Sequence, residues 1–228
     1  MRDALVIPIN QHDCLVIATD NSGAIGMKEQ DFVKVAYETV GYFSFRVAVM
    51  ECLATGAKPM AVVIQNFCGN KEWSKLVAGV EKGIAEMGLE GVQITGSTES
   101  NFPLVQSVVG LNVIGVKSLD DKKETNFEKV ALIGMPLVGN EVIENVNEVA
   151  PLSLFYQISQ LVDCVVWPVG SKGVGHELKR MGLDAFEVSG EINYSKSGGP
   201  ATSFLVGYPI DREEEIKKLA GQHFHSLL

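Results

Sequence analysis

FSFRVAVMECLATGAKP, residues 43–59, is apolar on nearly every side and ends at Gly56, with Pro59 beyond. Gly and Pro in that order stop helices, so the spacing predicts a helix over about 39–55. A helix apolar all round is buried. Glu51 lies inside it, and Arg46 is the only other charge before the turn. Five residues turn a helix through about 140°, so Arg46 and Glu51 do not share a face. A buried carboxylate costs several kcal/mol unless a cation meets it. Glu51 therefore calls for a distant Lys or Arg, for a helix end that points at the surface, or for a metal ion carrying phosphates.

Around this helix the chain alternates strand-like and helix-like segments. Residues 2–9 and 13–19 read as a hairpin of two strands, broken by Asp20-Asn21-Ser22-Gly23. Residues 61–67, 92–96 and 104–116 read as strands, the last with a bulge at Gly110. Residues 71–87 read as an amphipathic helix with Asn70 as N-cap and a stripe of Trp73, Val77, Val80, Ile84 and Met87. The charged run 119–129 is a connector, and predicts an N-terminal domain 1–118 and a C-terminal domain 119–228. In the second half, 130–134, 163–169 and 203–209 read as strands; 139–149, 152–159, 173–181 and 211–223 read as helices; His223 and His225 fall in a frayed end. Adjacent hairpin partners make the class α+β rather than a doubly wound parallel sheet.

Composition narrows the function. With 19 Lys and Arg against 28 Asp and Glu, the formal net charge is −9. That provides no basic stripe for nucleic acid and no attraction to an anionic membrane. An anionic ligand must be met locally, by backbone N–H groups, single lysines or a divalent cation. The four cysteines, Cys14, Cys52, Cys68 and Cys164, are not at metal-ligand spacing and read as reduced thiols of a cytoplasmic protein. No apolar run reaches the length of a signal core or a spanning helix.

Four acids stand at strand ends or in the apolar helix: Asp3, Asp20, Glu51 and Glu99. Carboxylates so placed can converge, and Mg²⁺ takes one or two of them together with phosphate oxygens. The stretches TDNSGAIG (19–26, with Asn21, Ser22 and Gly23) and TGST (95–98, with Gly96, Ser97 and Thr98) offer backbone N–H groups after strands, although turns use the same residues. The run VGSKGVGHELKRM (169–181) puts Gly170, Ser171, Lys172, Gly173 and Gly175 between a strand and a helix, where N–H groups and the helix dipole face one point; the alternative is a plain connector.

These residues resemble the ATP-binding superfamily of aminoimidazole ribonucleotide synthetase, thiamine-monophosphate kinase and selenophosphate synthetase. Arg2-Asp3-Ala4, Thr19-Asp20 with Gly23, Glu51-Cys52-Leu53 with Gly56-Ala57-Lys58-Pro59, Gly96-Ser97-Thr98-Glu99, Ser171-Lys172-Gly173-Val174, and Gly198-Gly199 leading into Phe204-Leu205-Val206 carry the resemblance in order. Glu51, Ser97 and Lys172 stand where the superfamily has Asp. Within it, TDNSGAIG, the GAKP helix and GGPATSFLV are most similar to α-ribazole kinase.

The resemblance implies a two-subdomain fold whose N-terminal sheet pairs across a homodimer into a barrel. It implies ATP and Mg²⁺ as cofactors, with Asp3, Asp20, Glu51 and Glu99 on the metal and Glu51, Asp20 and Lys172 in catalysis. The reaction would be phosphorylation of a nucleoside-like alcohol, α-ribazole at its 5′-hydroxyl. A cyclo-ligase or a non-catalytic nucleotide-binding protein are the alternatives.

Overall fold

The computed structural model describes residues 3–119, 127–183 and 192–227. It divides into two compact units, Arg2–Asp121 and Lys122–Leu228. Residues 120–126, the heart of the expected connector, lie outside the described residues.

The first unit is built on a mixed sheet. Its strands are β1 (Ala4–Pro8), β2 (Asp13–Gly23), β5 (Lys58–Asn66), β6 (Gln93–Thr98) and β7 (Val108–Ser118). A separate short parallel pair, β3 (Ile25–Gly26) and β4 (Val33–Lys34), lies in the loop after β2. The order β1-β2-β7-β5-β6 is antiparallel throughout except for the β5–β6 pair. The sheet is open, with β1 and β6 at its edges.

Alternation fixes which face is dry. Cys14, Val16 and Ala18 of β2, Val109, Leu111 and Val113 of β7, and Val62 and Ile64 of β5 are all buried. Against them lies α1 (Tyr37–Ala54), the helix expected from the apolar run, through Phe45, Ala48, Val49 and Cys52. A Cβ on Gly115 would fall 2.7 Å from the Cys52 Sγ, which places the C-terminal part of α1 over the middle of β7.

Helix α2 (Trp73–Glu86) packs on α1. Asn70 does not cap it; Asn70–Glu72 form a 3₁₀ turn ahead of it, and Glu72 occupies the cap position without a side-chain bond. The buried seam is Leu76, Gly79, Val80 and Gly83; of the expected stripe Val80 and Met87 are buried, and Trp73, Val77 and Ile84 are only half-buried. A Cβ on Gly79 would sit 2.1 Å from the Glu38 carbonyl oxygen, and one on Gly41 2.3 Å from that of Leu76. Two glycines thus let the helix backbones touch, and glycine gives no hydrophobic signal. Arg46, fully buried, is answered by Tyr42 and by Glu86 of α2, whose carboxylate accepts the Tyr42 hydroxyl at 2.7 Å.

The second unit carries β8 (Lys129–Ile133), α3 (Glu141–Glu144), α4 (Leu152–Ser159), β9 (Val165–Pro168), α5 (Val174–Arg180), β10 (Phe204–Tyr208), α6 (Glu213–Ala220) and β11 (Phe224–Ser226). Its sheet, ordered β11-β8-β10-β9, is antiparallel. Val174 and Leu178 of α5 join Val130, Leu132 and Leu205 in one core. On the opposite face Phe155 of α4 meets Phe204 edge-on at 4.9 Å. The helix expected over 139–149 is only one turn, α3, followed by a 3₁₀ turn at Val146–Glu148. The expected frayed end is also corrected: His225 pairs with Leu132 in β11, and the Gly134 N–H donates to the His223 carbonyl at 2.8 Å.

Candidate functional site

Two of the expected loops are strands. β2 does not break at Asp20; Asp20, Asn21, Ser22 and Gly23 stay in register opposite Leu111, Gly110, Val109 and Val108. The irregularity expected at Gly110 lies instead on β5, between Pro59 and Ala61. Likewise Gly96, Ser97 and Thr98 belong to β6, opposite Ile64, Gln65 and Asn66. A Cβ on Gly96 would lie 2.0 Å from the Ile64 carbonyl oxygen, so this glycine serves close strand packing. Paired strands do not present the run of convergent N–H groups that a phosphate-binding loop offers.

The strand assignment changes what Asp20 is. It stands on the same face as Cys14, Val16 and Ala18, the face that α1 covers. Burial pushes its carboxyl up to about 7, against hydrogen bonds from the Asn21 N–H and the Ser44 hydroxyl that pull the other way. Ser44 is on α1, seven residues before Glu51. Seven residues are two helical turns, about 10 Å, on nearly the same face. Because Cys52 lies over Gly115, opposite Val16, the helix runs away from Asp20 as it approaches Glu51. Glu51 is half-buried on α1, two turns beyond the Ser44 that meets Asp20.

The other two acids are elsewhere. Asp3 is exposed just ahead of β1. Glu99 follows β6, and its carboxylate accepts the N–H groups of Asn101 at 2.6 Å and Phe102 at 3.3 Å, which makes it a turn-capping residue. Among the described residues no three His, Cys, Asp or Glu side chains gather into a set able to hold a metal ion. The donor set therefore fits Mg²⁺ only as an ion borne by phosphate and met by one or two carboxylates, Asp20 first among them. A protein cage of four acids does not form.

In the second unit the glycine-rich turn also has structural work. The Gly170 carbonyl accepts N–H groups from Gly173 at 3.1 Å and Gly198 at 3.0 Å, and the Gly175 N–H donates to the Tyr194 carbonyl at 2.9 Å. Gly173 takes φ +81°, where a Cβ would strike the Lys196 carbonyl oxygen at 2.6 Å. Ser171 and Lys172 remain exposed at the tip of the turn. Sequence reading missed Glu177, buried beside this turn, which accepts from the Trp167 indole at 2.8 Å and from Arg180 at 3.1 Å.

Residues 1–117 match the family model described as AIR synthase related protein, N-terminal domain. The chain belongs to this family. No curated protein sequence matches it. Among solved structures it is similar to tt0281 of Thermus thermophilus, at 13% identity and a TM-score of 0.63 over 99% of this chain and 85% of that one. It is similar to thiamine monophosphate kinase of Aquifex aeolicus, at 12% identity and 0.61 over 99% and 87%. It is also similar to Thermotoga maritima PurL complexed with ADP, at 12% identity and 0.61, covering all of this chain and 41% of that one. At such identities the likeness establishes a shared mixed α+β fold. No helix among the described residues is long and apolar enough to cross a membrane.

Proposed function

We propose that this chain is an ATP- and Mg²⁺-dependent phosphotransferase acting on a small nucleoside-like alcohol, with the 5′-hydroxyl of α-ribazole as its specific acceptor. The observation that carries the reading is Asp20. It is an acid of the family domain, set on a covered sheet face, with its carboxyl pushed up to about 7 by burial. A phosphate-borne divalent ion would supply that charge. Such an ion neutralises the transferring phosphoryl group; the protein's share is positioning. Asp20 would hold the ion, and Glu51 and Lys172 are the further candidates for catalysis.

The subunit arrangement belongs to the same proposal. Leu5, Val6 and Ile7 on edge strand β1 are exposed, as is Met60 on β5. A second copy of this chain would bury them and complete a barrel across a cytoplasmic homodimer.

Thermal shift with ATP and Mg²⁺ tests the first step, and ADP release on adding α-ribazole tests the second. Stabilisation by nucleotide together with ADP release that disappears in Asp20→Asn supports the kinase. Nucleotide binding without turnover on any alcohol favours a non-catalytic nucleotide-binding protein, a reading that the absence of a three-acid cluster among the described residues supports. Ring closure of a supplied substrate would instead identify a cyclo-ligase.

A further inference from the structure

We propose that the face of the first unit's sheet left free by α1 binds a neutral, hydroxyl-rich small molecule of the sugar or nucleoside class. The surface lies on the face of β2 opposite to Asp20 and carries no charge, so it goes beyond the reading of Asp20 as the holder of a phosphate-borne ion.

Strand register builds the surface. α1 covers the face that bears Val16, Ala18 and Asp20, and the alternate residues of β2, β7, β5 and β6 point the other way. On that free face Leu5, Ile17, Ile114 and Ala61 stand side by side as an apolar row. The next row is Thr19, Asn112, Val63 and Thr95, and the one after it is Asn21, Gly110, Gln65 and Ser97. The face thus turns from apolar to polar within one step along the strands. Six of the eight residues in the two polar rows can hydrogen-bond, and none is charged. Strands about 4.8 Å apart and same-face residues about 7 Å apart spread these six groups over roughly 14 by 7 Å. Gly110 opens the middle: an added Cβ would fall 2.7 Å from the Gln65 amide oxygen, so the Gln65 side chain lies over β7 on the side of Asn21.

The chemistry of the rows selects the ligand. Asp, Glu, Lys and Arg make up 21% of the chain, and a plainly solvated face would draw on them. Here amides and hydroxyls stand without charge. Asn112 and Gln65 are half-buried and the other four are exposed. Among the described residues none of the six side chains is hydrogen-bonded within the protein. Amides and hydroxyls both donate and accept, as alcohol hydroxyls do. A phosphate or carboxylate would find no cation among them. The second copy proposed above would cover the apolar end of this face, which leaves the polar rows at a barrel mouth, a common place for small-molecule sites. Asn21 and Ser97 thereby offer a ligand their side chains rather than backbone N–H groups.

The test is titration of the ¹⁵N-labelled full chain with D-ribose, adenosine and α-ribazole, followed through the side-chain amide signals of Asn21, Gln65 and Asn112. The near-isosteric variants Thr19→Val, Gln65→Met and Asn112→Leu are compared with wild type, each with its melting temperature and its mass in solution. At least one probe should shift the three amide signals of wild type. Each variant should weaken that probe roughly 2- to 10-fold, the worth of one neutral hydrogen bond. Affinity for Mg²⁺–tripolyphosphate and the melting temperature should stay unchanged. Thr19→Val, which exchanges a hydroxyl for a methyl on an exposed strand position, keeps the test decisive if a larger substitution lowers the melting temperature. Wild type whose amide signals move with no probe overturns the surface, whatever Mg²⁺–ATP does. Unchanged probe affinity in all three variants also overturns it, as does a change of mass alone, which reassigns the rows to subunit contact. A shift with D-ribose or adenosine but no binding of Mg²⁺–ATP supports the surface and overturns the nucleotide reading instead.

Discussion

Replacing Asp20 by Asn should stabilise the protein above neutral pH and leave it nearly unchanged in mild acid. The folded-state carboxyl titrates at about 7, against an ordinary value of 3.8. Below pH 4 both folded and unfolded chains hold the proton, so the neutral group's contribution is fully present. Between pH 4 and 7 the unfolded chain releases its proton while the folded chain keeps it. Stability therefore falls as pH rises, and the loss is complete once pH passes the folded value. Roughly three pKa units correspond to at most about 4 kcal/mol. Asp20 is only partly shielded from solvent, so about 2–4 kcal/mol is expected at pH 8. The amide is uncharged at every pH and can still accept from Ser44, so Asp20→Asn escapes the penalty. Urea denaturation followed by circular dichroism at pH 4.5, 6, 7 and 8 measures the difference. The variant should gain on wild type with each step upward. A difference that stays constant within about 0.5 kcal/mol from pH 4.5 to 8 would refute the burial of an uncompensated carboxylate there.

Three further outcomes are expected. Gly79→Ala should cost about 1–3 kcal/mol in urea denaturation despite its better helix propensity, because the new methyl meets the Glu38 carbonyl at 2.1 Å and the Tyr42 nitrogen at 2.6 Å; a gain would mean that α1 and α2 are not in backbone contact. Glu86→Gln should cost about 1–3 kcal/mol by taking a carboxylate charge away from the fully buried Arg46 and weakening the acceptor of the Tyr42 hydroxyl, whereas Glu81→Gln on the exposed face should stay within about 0.5 kcal/mol. Leu5→Glu should lower the mass measured by light scattering to that of a monomer if exposed β1 pairs across two copies; an unchanged dimer would place the interface elsewhere.

Much of the fold was legible because its signals are local. The all-apolar run at 43–54 could only be a buried helix, and α1 is Tyr37–Ala54. Hairpin β1–β2 and helix α4 were readable from alternation and from a Pro start. What failed was reading Gly, Ser, Thr and Asn as loop formers. Asn21, Ser22 and Gly23 remain in β2 because β7 offers a full-length antiparallel partner, and Gly96 to Thr98 remain in β6 because β5 does the same. Ladder pairing is non-local, so no composition rule within a short window could register it. The α1–α2 seam failed for a related reason: it depends on the absence of side chains at Gly41 and Gly79.

The same distinction explains why the site was only partly legible. Sequence spacing identified four acids but could not tell a capping carboxylate from a buried one. Glu99 lies two residues before a backbone N–H that takes its charge, an arrangement that any turn can make. Asp20 differs because a strand carries it onto the face that α1 covers, where the Ser44 hydroxyl and the Asn21 N–H answer it. The cost of that burial is what asks for a cation. Glu51 prompted the same question from sequence, but it lies two turns along α1 from the Ser44 that meets Asp20. On the proposed reading, Asp20→Asn should therefore abolish Mg²⁺-dependent ADP release.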